Sequence, residues 1–220
     1  DISAYETDPY YFGAIIGRYA GRIDQGLLSI NGKNYQLSIN NSDNQLHGGL
    51  QALNKQLWQA TTQSTTEKVS LILQHSSPDG DNGFPGNVDF KVKYSLNNNN
   101  EFSIEYFATT DKTTVINLTH FLPMDERVYP TGEIRNVNNT QHDFRQLTAI
   151  NKHINNDDEQ ITIAKGFDNY WLSNHNAITK AAFLAKAFEP KSGRQLTVYS
   201  DQPSLVFYTA NYIDGSQIGK

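Results

Sequence analysis

The stretch VDFKVKYSLNNNNEFSIEYFA, residues 88–108, decides the class of fold. Val88, Phe90, Val92, Tyr94 and Leu96 alternate with Asp89, Lys91, Lys93 and Ser95. That is the two-residue period of a strand with one face buried. The asparagines at 97–100 then turn the chain, and Phe102, Ile104, Tyr106 and Ala108 repeat the alternation. The segment predicts an antiparallel hairpin.

Working outward, KVSLILQHSS (68–77), ITIAKGFDNYWLS (161–173) and QLTVYSDQPSLVFYTANY (195–212) read as further strands. Turn clusters separate them, among them NGKN (31–34) and DGDNGFPGN (79–87). The Ala-rich AITKAAFLAKAFEP (177–190) fits a helix or a strand pair, and FRQLTAINKHI (144–154) suggests one short helix. No repeat and no Gly/Ser linker divides the chain. The expectation is an all-β fold, a large antiparallel sandwich or barrel, in a single domain over residues 1–220.

Composition narrows the function. The 220 residues are 37% hydrophobic, with 12 Tyr and 11 Phe, enough for a sizeable core. The net charge is -5 and the basic residues are scattered singly, so the basic stripe that nucleic acid requires is missing. Mean hydropathy of -0.59 and no apolar run of membrane-spanning length point to a soluble protein without a membrane partner. Having no cysteine, the chain has neither disulfides nor thiol chemistry.

Candidate chemistry sits in a few segments. In GAIIGRYAGRIDQG (13–26), Arg18 and Arg22 stand among glycines. A guanidinium there suits bidentate bonding to an oxygen-rich ligand, although pairing with a surface carboxylate is the ordinary alternative. His47 lies on a bend, NNSDNQLHGG (40–49), and could equally be a surface residue. His75, His120, His142, His153 and His175 lack metal-ligand spacing. DGDNGFPGN lacks the glycine and closing glutamate of a calcium loop and reads as a tight turn. In GFDNYW (166–171), Asp168 stands beside Tyr170 and Trp171, a combination suited to sugars, but a strand end with core aromatics explains it as well. Carboxylate pairs at 124–126 and 157–159 do not stand out.

Together these segments resemble one family. FGAIIGRYAGRI, INGKNYQLSINNSDNQLHGG, DGDNGFPGN, FATTDKTTVINLTH, FLPMDERVYPTGEI and GFDNYW occur in the order found in aldose 1-epimerases, the galactose mutarotases. The resemblance spans nearly the whole chain. It implies the galactose mutarotase-like supersandwich of antiparallel strands. It also implies interconversion of the α and β anomers of hexoses such as galactose and glucose, by general acid–base ring opening and closure without any cofactor.

Residue by residue, the resemblance assigns Arg22 to sugar binding, His47 to the active site near the ring oxygen and Asp168 to the sugar hydroxyls. Gly21 stands where relatives often carry Asn, and Val206 where some carry a substrate-contacting Gln. His120 in INLTH is the catalytic acid or the neighbour that precedes it, because the sequence passes directly into FLPMDE. The family's glutamate base would lie beyond YIDGSQIGK, so no residue is assigned to that role. The single domain is thus expected to lack N-terminal strands, a segment after residue 120 and the C-terminal strands, as part of a longer protein would. The alternative is a non-catalytic carbohydrate-binding protein of the same fold. A sugar phosphate would need a basic cluster that is not evident. The expected partner is a free sugar, the expected form a monomer or homodimer, and the expected compartment the cytoplasm, with the periplasm or secretion left open.

Overall fold

The computed structural model describes residues 11, 13–116, 133–154, 157–172 and 181–215. The chain separates into two compact units, Asp1–Leu118 and Thr119–Lys220.

The first unit holds β1 (Arg22–Ile23), β2 (Leu27–Ile30), β3 (Lys33–Gln36), β4 (Gln45–Leu46), β5 (Gln59–Ser64), β6 (Lys68–Ser77), β7 (Val88–Asn97) and β8 (Phe102–Thr110). Strands β5 to β8 form a four-stranded antiparallel meander in sequence order. The expected hairpin is there: Leu96 faces Phe102, and the pairing runs to Val88 opposite Thr110. Strands β2 and β3 pair across Asn31 and Gly32, both at positive φ. That is the backbone a two-residue hairpin turn demands.

The inward face of β7 builds the core. Val88, Phe90 and Val92 are 1–2% exposed and cluster with Ile15 and Leu53. Trp58, Leu73, Tyr94 and Ile116 pack around them. Each such side chain contributes about 1.5–3 kcal/mol by leaving water. The alternation continues beyond the cover, since Leu96 is 47% and Phe102 62% exposed.

The second unit holds a short helix, α1 (Glu159–Ala164), then β9 (Asp168–Leu172), β10 (Ala182–Glu189), β11 (Arg194–Ser200) and β12 (Ser204–Tyr208). β9 pairs with β12, and β10 with β11, all antiparallel. Three expectations are corrected here. Residues 161–164 are helix, not strand, because Asp158 caps the Gln160 and Ile161 amides and Lys165 at φ 59 closes the C-terminus. The Ala-rich segment supplies one strand, β10, through its ladder with β11. Within 144–154, only Ile150–Lys152 forms a single 3₁₀ turn. No described helix is long and apolar enough to cross a membrane.

Candidate active site

In the first unit the site begins with β1 against β4, where Arg22 faces Leu46 and Ile23 faces Gln45. This short ladder sets Arg22 beside the bend that follows β4. His47 adopts φ 53, a left-handed backbone that costs a residue with a Cβ free energy. The surroundings hold it there. Its N–H donates to the Gly21 carbonyl at 3.0 Å, and its carbonyl accepts from Gly17 N at 3.3 Å. Gly48, at φ 99, lies so close to Gly17 that a Cβ would come within 1.7 Å of the Gly17 oxygen. Only glycine permits that approach.

The asparagine run is the frame of this turn. Asn40 clamps Leu46, its Oδ1 accepting from Leu46 N at 2.6 Å and its Nδ2 donating to Leu46 O at 2.9 Å. Asn41 Oδ1 accepts from Arg22 Nε at 3.1 Å, and Asn44 Oδ1 from Gln25 N at 3.0 Å. Among the described residues, the Nη groups of Arg22 have no hydrogen-bond partner. They remain free for two hydroxyls of a polyol. The His47 ring accepts at Nδ1 from Gly21 N at 3.1 Å and meets the Tyr11 ring edge-on at 4.9 Å. Burial, then the nearby Arg22 charge, lowers the His47 pKa to about 4. The imidazole is neutral in ordinary buffers.

Arg18 has a different part from Arg22. It is 2% exposed and bonds to Ser77 Oγ and to the carbonyls of Ser77, Pro78 and Pro85 at 2.8–3.0 Å. It ties the Gly17 segment to the loop 79–87. From that loop Asn82 reaches back to Ser38 and Gln51. The loop is thus the tight turn expected, bracing the His47 bend from behind. An open hollow of about 400 Å³ in this unit is lined by apolar groups such as Ile15, Leu53, Trp58 and Tyr94 and by neither Arg22 nor His47. It belongs to the sheet core.

In the second unit, Asp168 opens β9 opposite Tyr208 and is partly exposed. Before it, Phe167 is fully buried and meets the rings of Phe144, Trp171, Phe207 and His142 at 5.2–6.1 Å. Trp171 Nε1 donates to the His142 carbonyl at 2.8 Å. The aromatic members of GFDNYW therefore pack, and Asp168 is the polar group at their edge. Val206 faces Tyr170 in the β9–β12 ladder, with an apolar side chain at the position in question. Asp158 is a helix cap that also bonds to His142, a structural use of the 157–159 carboxylates. His75 bonds to the Leu57 carbonyl and His153 to that of Gln141. His120, and the carboxylates at 124–126, lie outside the described residues.

Sequence reasoning found Arg22 and His47, which the structure brings together, Arg22 on β1 and His47 at the bend after its partner β4. It missed Asn40, Asn41 and Asn44 as individual actors, although it singled out their run as turn chemistry. The buried carbonyl-binding part of Arg18 had no signal apart from its glycine flanks.

Comparison with known proteins finds relatives along nearly the whole chain. The family model described as aldose 1-epimerase matches residues 1–120 and 119–219. Galactose mutarotase of Bos taurus is 35% identical over all of this chain and 68% of its own length. Aldose 1-epimerase of Escherichia coli K12 is 32% identical over 96% of this chain and 67% of its own. The crystal structure of galactose 1-epimerase from Lactobacillus acidophilus aligns with a TM-score of 0.82 at 28% identity, over 97% of this chain and 68% of that one. The fold is accordingly an all-β antiparallel sandwich. With Arg22 on β1, His47 directly after its partner β4, and the family match running through both units, the chain belongs to the aldose 1-epimerase family.

Proposed function

We infer that this chain catalyses the interconversion of α and β anomers of free aldohexoses such as galactose and glucose. The observation that carries the reading is the Arg22–His47 arrangement. A guanidinium on β1, its Nη groups without a partner among the described residues, adjoins a neutral imidazole at the bend directly after the paired strand β4, within the ordered motifs of the family.

In the reaction a base takes the proton of the C1 hydroxyl while an acid delivers one to the ring oxygen, and the C1–O bond breaks. Rotation about C1–C2 and closure on the other face, with the protons returned, gives the second anomer. Arg22 binds hydroxyls, His47 bonds near the ring oxygen, and His120 is the proposed acid. Asp168, read from its motif, binds hydroxyls through its carboxylate. The base is assigned to no residue of this sequence. The family match over both units supports taking residues 1–220 as one mutarotase-like domain; we also propose a monomer or homodimer in the cytoplasm.

Polarimetry on freshly dissolved α-galactose tests the activity. Equilibration should be faster than the buffer blank, and His47→Ala should slow it by at least ~10²-fold while the circular dichroism spectrum is unchanged. Wild-type equilibration at the blank rate would sink the proposal.

A further inference from the structure

The Nδ1 atom of His47 faces the backbone N–H of Gly21 at 3.1 Å. A backbone amide can donate but cannot accept at nitrogen, so Nδ1 must present its lone pair. We infer that the Gly21 amide is a positioning group that fixes His47 as the Nε2–H tautomer, so that Nε2 presents its proton to the sugar. The tautomer follows from geometry alone; its use on a sugar rests on the epimerase reading above.

Three further observations support it. Gly21 holds His47 twice, since its carbonyl accepts from the His47 backbone N–H at 3.0 Å while its own N–H binds the ring. Swinging the ring away would leave the Gly21 N–H without its acceptor, while the backbone bond keeps the two residues together. Among the described residues Nε2 has no hydrogen-bond partner, so its proton is available to a ligand oxygen. Finally, protonating Nδ1 would set two N–H groups against each other beside the Arg22 charge, with the Tyr11 ring on another side. Burial and that charge act in the same direction, against the imidazolium.

Two measurements test this. Long-range ¹H–¹⁵N spectra of ¹⁵N-histidine-labelled protein report the protonation of each ring nitrogen, with the His47 signals assigned by their loss in His47→Gln. From pH 5 to 8, Nδ1 should remain unprotonated and Nε2 protonated. An Nδ1–H ring, or a ring protonated at both nitrogens at pH 7, would overturn the inference whether or not the protein is a mutarotase. The second measurement is kcat/KM for mutarotation in two variants. A glutamine amide reaches the place of Nε2, whereas an asparagine amide reaches only that of Nδ1. His47→Gln should retain at least ~10-fold more kcat/KM than His47→Asn. Asparagine accepts left-handed backbone better than glutamine does, so superior folding cannot explain a glutamine advantage. An asparagine variant as active as the glutamine variant would remove the Nε2 donor.

Discussion

The bend that carries His47 is held chiefly by amide and backbone hydrogen bonds, whereas the strand start that carries Asp168 adds a shell of packed rings to the hydrogen bonds that Thr209 and Asn211 make with Phe167. Around His47, three asparagine side chains and the Gly21 and Gly17 backbones fix every turn of the chain. Before Asp168, Phe167 sits inside a shell formed by Phe144, Trp171 and Phe207. The difference is one of directionality. Hydrogen bonds fix a group to within a few tenths of an ångström and select its protonation state, whereas ring packing supplies stability with looser angular demands. The first plan suits a group whose tautomer matters; the second suits a carboxylate that only has to be present at an edge.

The sharpest way to break the contrast is a methyl group at each glycine hinge. In Gly48→Ala the new Cβ meets the Gly17 carbonyl oxygen and carbon, at 1.7 and 2.2 Å. Backbone cannot yield as a side chain can, and φ 99 adds strain. We expect a loss of at least ~4 kcal/mol in urea unfolding. Gly166→Ala, at φ 148, instead meets side-chain atoms of Asn211 and Thr209, at 2.2–2.7 Å, which can yield by giving up their hydrogen bonds to Phe167. It should lose roughly half as much. Equal losses would mean that the His47 bend is no more rigid than the Asp168 one.

How much of this was legible depended on where the information lay. The β7–β8 hairpin could be read because a period-two apolar pattern and a turn are both local, although β8 is exposed along its whole length. The helix at 159–164 could not: Ile161, Thr162 and Ile163 favour strand, and a cap by Asp158 together with a left-handed Lys165 outweighs them. The Ala-rich β10 became a strand only through its partner β11. In the site, Arg22 and His47 were legible as members of ordered motifs. The partnership of Asn41 with Arg22 was not, because it crosses 19 residues of sequence and depends on the β1–β4 register. Likewise, nothing local marks Arg18 as the residue that bonds three carbonyls.

A second way to separate the two regions is by pH, since their titratable groups respond in different windows. The folded pKa of His47 is lowered to about 4 from 6.5. Between those values the unfolded chain binds a proton that the folded chain does not, so stability falls as the solution is acidified from 6.5 to about 4. The loss amounts to about 3 kcal/mol. In the second unit, burial raises the Asp158 pKa, but bonds from His142 and the Ile161 and Gln160 amides outweigh it, and the net shift is downward from 3.8. Its contribution is present above 3.8 and is lost only at lower pH. Urea midpoints from pH 7 to 4 should therefore decline in the wild type and much less in His47→Gln. Parallel curves for the two proteins would show that His47 takes no part in the decline.

The smallest effect tests how finely the amide frame works. Asn41→Ala removes the acceptor for Arg22 Nε yet leaves the backbone bridge between Asn41 and Asn44 in place. The guanidinium keeps its charge and loses one of the contacts that orient it. A hydrogen bond to a charged group in a partly exposed site contributes on the order of 1 kcal/mol. The expected result is a rise in KM for galactose of about three- to tenfold with kcat nearly unchanged, because in the proposed reaction the arginine binds sugar without handling its protons. Asn41→Asp retains an acceptor oxygen at the same place and should restore most of the affinity. Asn40→Ala offers the contrast within the same run: it unclamps Leu46, one residue before His47, and so should lower kcat as well. A KM that stays fixed in Asn41→Ala would reduce Asn41 to a turn former and leave the orientation of Arg22 to the β1–β4 ladder alone.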